Sequence, residues 1–346
     1  MRRILIAVMF GLMLAVPARA TELTVPEVPE AGAKLMPQET KSFSRGLREI
    51  LRELMPLLRP DIAEATRVGA GLIAGCMLIS LLQATGGQLQ NAARIAGTAA
   101  IAAALFRSTH SLLRLGADTV SEMSEYAKLL LPVMTAAVAA QGGVTSASAL
   151  YAGSAVWITF LSRLIVSLLL PVQYLFLAAA VANGMMENDM LKNTKELIKD
   201  LLHWCLKTIL TVFTAYLGIT GIISGTTDAA VLKATKSTIS SVVPVVGRIL
   251  SDASEAVLVS AGLVKNSMGI YGILAVLAVF LGPFFRIGIQ YLILRIASAI
   301  CAVFDAKGMP ALIGDFSEVL RMLLGMTGAM CILLLVSSIC FLKGVG

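Results

Sequence analysis

Residues 233–269 read KATKSTISSVVPVVGRILSDASEAVLVSAGLVKNSMG, and the fold turns on this stretch. It lies between two apolar blocks, Leu201 to Ser224 before it and Ile270 to Phe285 after it. Asp228 is placed to cap a helix beginning at Ala229, because its side chain can accept from the first free N–H groups. Lys233, Lys236 and Ser240 follow at i, i+3 and i+7, which puts them on one polar face. Val242 to Gly247 is an apolar hinge: Pro244 lacks an N–H and Gly247 frees the backbone. Beyond it, Ile249, Ala253, Ala256 and Val257 share a face, with Asp252 and Glu255 on another. Lys265 and Asn266 close this second segment, and Gly269 opens the next apolar block. The expectation is two amphipathic helices hinged at Pro244 and Gly247. Two uses stay open: a hairpin that merely connects spans, or a re-entrant or docking element that narrows a pore or contacts partners. The candidate docking or gating residues are Lys233, Lys236, Pro244, Gly247, Asp252, Lys265, Asn266 and Gly269.

The rest of the chain sets the class. Its residues are 57% hydrophobic and 14% charged, against about 25% charged in soluble domains. Mean hydropathy is +0.85. This is membrane composition, and apolar segments of this length predict helices, which satisfy their own backbone groups in lipid. The fold class is all-α: a polytopic helical membrane protein with about seven to nine hydrophobic segments, each judged against a ~20-residue span, plus interfacial amphipathic helices.

Val68 to Leu82 is Gly-rich, Asn91 to Phe106 is Ala-rich, and such small residues let helices approach closely in a bilayer. Arg107 to Lys128 is amphipathic, and Leu129 to Ala140 is a short apolar run holding Pro132. Leu150 to Met186 is too long for one crossing, so a turn is expected near Ser167 to Pro171. Arg163 inside it is either a snorkelling residue near a membrane face or an intramembrane, pore-lining charge. Ile270 to Phe285, Ile287 to Phe304 and Met322 to Leu342 complete the set, with Arg286 and Arg295 bracketing the start of the middle one. Residues 187–207 and 305–321 read as polar loops. Leu47, Ile50, Leu51, Leu54 and Leu58 mark an amphipathic helix that Pro56 and Pro60 break up near its end.

Residues 1–20 read as a signal peptide: Arg2 and Arg3, a short apolar core, then Ala18-Arg19-Ala20 as a cleavage pattern. An uncleaved anchor is the alternative. Residues 21–67 form a polar extracytoplasmic region, 68–224 the first group of membrane segments, 225–268 the amphipathic or re-entrant hairpin, and 269–346 the C-terminal membrane segments. Lys192, Lys195, Lys199 and Lys207 give a positive-inside signal for the 187–207 loop. That places the hairpin on the outer side, with the mature N-terminus.

Catalytic and nucleic-acid functions find no support. Net charge is +7, with no basic patch interleaved with aromatics, so nucleic-acid binding is not expected. The two histidines, His110 and His203, are far apart, and no HExxH, P-loop or GxGxxG pattern occurs. Asp252 and Glu255 read as the solvated face of a helix rather than an acid/base pair. The five cysteines lack CxxC spacing, which argues against a disulfide framework or a zinc site. No catalytic residue, cofactor or metal is expected. Broken segments around Pro132, Gly142 and Pro171 also suit a stand-alone secondary transporter or permease.

The run KATKSTISSVVPVVGRILSDASEAVLVSAGLVKNSMGIYG resembles the signature region of the stage III sporulation protein AE family of endospore formers. Its Lys and Ser/Thr segment, VPVVG, SDA-type helix, KN and Gly-initiated span follow that family's pattern. Arg248 departs from it, standing where a small residue is expected. The resemblance implies a non-enzymatic membrane subunit of the mother-cell to forespore channel, a secretion-like apparatus needed for endospore development. It implies residence in the mother-cell membrane around the forespore, in the stage III A complex. The implied partners are the lipid bilayer, the other stage III A subunits including the ATPase and ring-forming members, and indirectly the forespore-membrane stage III Q protein.

Overall fold

The computed structural model describes residues 26–37, 42–83, 88–140, 143–186, 189–242, 246–304 and 308–343. Side chains are described for the same residues except 83, 88–91, 217–242, 246–266 and 343. Residues 1–20, expected to be a signal peptide, lie outside the described residues. Every regular element among those described is helical: α1 (Glu30–Ala33), α2 (Phe43–Gln83), α3 (Gln88–Ala139), α4 (Val144–Leu164), a π-helical turn (Ile165–Leu169), α5 (Leu170–Met186), α6 (Asp189–Val242), α7 (Val246–Val303) and α8 (Met309–Lys343). This is the all-α membrane class expected. Phe43–Leu82, Val144–Met186, Ser267–Val303 and Met309–Leu342 are long and apolar enough to cross a membrane.

Several expected breaks are absent, and neighbouring segments fuse into longer helices. Pro56 and Pro60 sit inside α2 rather than ending it. Both prolines are exposed, while Ile50, Leu54 and Leu58 on the same helix are buried against Leu274 and Ala278 of α7. Burial of that stripe outweighs the local loss of two backbone hydrogen bonds. The turn expected near 167–171 is a π-helical turn instead, and the chain continues into α5 without reversing. Pro171 would clash with the carbonyl of Ser167, four residues back, and that carbonyl falls within the widened turn. The expected polar loops at 187–207 and 305–321 are helical over 189–207 and 309–321. Leu312, Ile313, Phe316, Val319 and Leu320 lie at helical spacing and are buried, so this part of α8 is core.

The central helix is α8, which packs against α3, α4, α5, α6 and α7. Its buried residues run from Met309 through Phe316, Leu323, Met330 and Leu334 to Phe341, on more than one face, as expected of a helix enclosed by others. Successive helices alternate in direction, with α4 and α5 counting as one continuous run. One end of the bundle brings together Gly46 with Leu274, Leu130 with Gly272, Leu342 with Gly269, and Ala149 with Tyr216. The other end joins Ser80 to the Phe304 carbonyl and Thr98 to the Gly184 carbonyl. Tyr216 and Gly269, which lead into and out of 217–268, therefore share an end with the N-terminal residues 30–46.

The Ser267–Val303 part of α7 alone has 37 residues. At 1.5 Å per residue it is ~55 Å long, against ~30 Å of hydrocarbon. The tandem apolar segments read from the sequence are stacked end to end along shared helices.

The turn into α8 depends on Gly308, whose φ is +84°. A Cβ there would sit 3.0 Å from the Gly184 carbonyl oxygen. Gly308→Ala is expected to cost about 1–2 kcal/mol from the left-handed backbone alone, read as a lower melting temperature in detergent. An unchanged melting temperature would show that this turn does not require glycine.

Candidate functional site

The expected hairpin is split between two long helices. Lys233 and Lys236 lie in α6, and Gly247, Asp252, Lys265 and Asn266 lie in α7. Their side chains, and Pro244 altogether, lie outside the described residues. Neither helix breaks at the expected span boundaries: α6 runs through Ser224 and α7 through Gly269. Gly269 lies inside α7, two residues into the apolar stretch Ser267–Val303. It is a packing position, buried, where a Cβ would meet Leu342 Cδ2 at 2.1 Å.

Arg163 lies in the last turn of α4 on an exposed face, two residues before the π-helical segment. It lines a surface groove of about 610 Å³ with Val156, Thr159 and Phe160 of the same helix.

Ion pairs between helices distant in sequence, at Lys195–Asp315 and Arg286–Asp61, were not foreseen. Lys195 of α6 bonds Asp315 of α8, with side chains only 8% and 18% exposed. Arg286 Nε of α7 approaches Asp61 Oδ1 of α2 at 3.1 Å. Arg286 lies midway along the apolar stretch Ser267–Val303 and has its partner on another helix. Its position inside an apolar run was the available signal.

The Asp61–Arg286 pair opens a small polar cavity of about 70 Å³ between α2, α3 and α7. Glu64, Ala65, Ser108, Ser111, Leu112 and Gln290 complete its lining. Gln290 is 8% exposed, and its Nε2 is buried without a hydrogen-bond partner. Elsewhere on α3, His110 Nδ1 and Tyr174 Oη are 2.8 Å apart, linking α3 to α5. At the start of α6, Lys199 beside Glu196 holds the Glu196 carboxyl below the usual carboxylate range. This is an i, i+3 pair with the glutamate largely exposed, a geometry that contributes little stability.

The comparisons with known proteins agree with the signature read at 233–272. The family model described as stage III sporulation protein AE matches residues 33–345. A stage III sporulation protein AE of Bacillus subtilis (strain 168) is 23% identical over 193 residues. That match covers 56% of this chain and 48% of the relative, so it spans about half the relative's length. No solved structure matches the chain. With the family model covering nearly all of the described helices, the chain belongs to the stage III sporulation protein AE family.

Proposed function

We propose that this chain is a non-enzymatic integral membrane subunit of the channel, or secretion-like complex, that connects mother cell and forespore during endospore development. The observation that carries this reading is the family match along residues 33–345. Four long apolar helices support membrane residence. Its site is the mother-cell membrane around the forespore. The lysine-bearing start of α6 faces the cytoplasm, following the positive-inside tendency. The mature N-terminus and the 225–268 hairpin then face the space between the membranes, which fits Tyr216 and Gly269 sharing an end with residues 30–46. There the hairpin serves as a docking or gating element toward ring-forming subunits and, through them, the forespore-membrane stage III Q partner. An ATPase subunit on the cytoplasmic side supplies energy, since the sequence holds no P-loop.

Deleting the gene in its host tests this directly. Heat-resistant spores should be lost and should return when the gene is supplied in trans. Normal spore counts in the deletion strain would overturn the proposal.

A further inference from the structure

One flank of the bundle is polar at a depth where another flank is apolar. On α3, Arg107, Ser111, Arg114, Asp118, Ser121, Glu125 and Lys128 recur every three or four residues, and all are exposed. The stripe from 107 to 128 is ~33 Å long at 1.5 Å per residue, about the thickness of a bilayer's hydrocarbon. On α2, next to α3, Arg48, Arg52 and Arg59 are exposed on the face away from the buried Ile50, Leu54 and Leu58. The cavity at Asp61, Glu64, Ser108, Ser111 and Arg286 joins the two helices, with the buried Gln290 Nε2 unpartnered at its wall.

The same level of the bundle is apolar elsewhere but for one exposed charge, Arg163. His110 lies beside Tyr174, and α3 and α4–α5 run antiparallel and packed together, so 107–128 is level with roughly one turn either side of 156–174. There Val156, Phe160, Leu168 and Leu175 are exposed. A polar stripe and an apolar one at equal depth cannot both face lipid, because charges in the hydrocarbon layer face protein or water.

Resting on the reading of this chain as a channel subunit, we propose that the α2–α3 flank lines a water-filled passage closed by further copies of this chain. A single flank cannot enclose water, so other walls are required. The α3 stripe is suited to identical walls. Arg107, Arg114 and Lys128 share the stripe with Asp118 and Glu125, so a second copy facing it across water can set acids against bases.

The test uses the full-length chain in native membranes, with Ser111→Cys, Ser121→Cys, Val156→Cys and Leu175→Cys introduced one at a time. The parent chain, with its native thiols, supplies the background. A charged, membrane-impermeant thiol reagent should modify the cysteines at 111 and 121 and leave those at 156 and 175 at background. A bifunctional thiol cross-linker should then convert the Ser121→Cys chain to dimers and larger species. Equal labelling at all four positions, or none at 111 and 121, would overturn the aqueous flank. Labelling at 111 and 121 with only monomers after cross-linking would overturn the walls of identical copies. These readouts need no sporulation, so they fail separately from the spore-count test of the channel role.

Discussion

Asp315→Ala should destabilise the bundle by about 3–5 kcal/mol, the usual cost of removing one partner from a buried ion pair. Lys195 and Asp315 are the case in point: both side chains are largely buried, and they join α6 to the central α8. Without the carboxylate, the Lys195 ammonium is held in the packed region with its ion-pair partner gone. The loss should read as a melting temperature lower by roughly 6–10 °C in detergent, scaling from about 2 °C per kcal/mol for a chain of this size. Lys195→Met should give a similar loss, since it strands the carboxylate instead. The double variant Lys195→Met with Asp315→Leu should recover much of it, because an apolar pair of similar volume replaces both charges without desolvating either. Single variants as stable as the parent would mean that α6 and α8 do not meet through this pair.

The helical membrane class was legible because it depends on composition and on apolar segment length, both local properties. Where the segments join was not. Pro56, Pro60, Pro132 and Pro283 are strong local breakers, yet each lies inside a helix. The stripes that hold those helices together, such as Ile50, Leu54 and Leu58 on Leu274 and Ala278, depend on partners more than two hundred residues away. The 305–321 segment misled for a different reason. Gly308, Pro310 and Gly314 look like loop residues, but Gly308 makes only the turn and Pro310 sits in the first turn of a helix, where its missing N–H costs nothing.

The candidate site divides along the same line. Arg163, the charge singled out by its apolar surroundings, is exposed and has no ion-pair partner among the described residues. Arg286, in equally apolar surroundings, has its partner in Asp61 on α2. Nothing local distinguishes the two arginines. What separates them is which helix packs alongside, and that is a property of the tertiary arrangement. The signature at 233–269 was legible as a family mark because it is a contiguous pattern, whereas its geometry depends on where α6 and α7 carry it.

That carriage makes the contact between α6 and α4 a sensitive one. A Cβ at Gly153 of α4 would lie 2.0 Å from Tyr216 Cε1 and 2.5 Å from Cζ, well inside any tolerable contact. Tyr216 Oη also donates to the Ala149 carbonyl at 3.2 Å, so the ring is held on both sides. Gly153→Ala gains about 1 kcal/mol in helix propensity. Against this, overpacking costs about 1–3 kcal/mol, and losing the tyrosine hydrogen bond about 0.5–1.5 kcal/mol. Overpacking and the lost hydrogen bond together outweigh the propensity gain, so the variant should melt below the parent despite its better helix former. Tyr216→Ala in the same chain should remove the clash and leave the propensity gain, so the double variant should lie closer to Tyr216→Ala alone than simple addition predicts. Tyr216 is also the last described side chain of α6 before the signature stretch. Displacing it moves the point from which that stretch departs, so the Gly153→Ala strain should form fewer heat-resistant spores even when the protein reaches the membrane at parental levels. A Gly153→Ala chain more stable than the parent would show that α4 and α6 do not approach at this glycine.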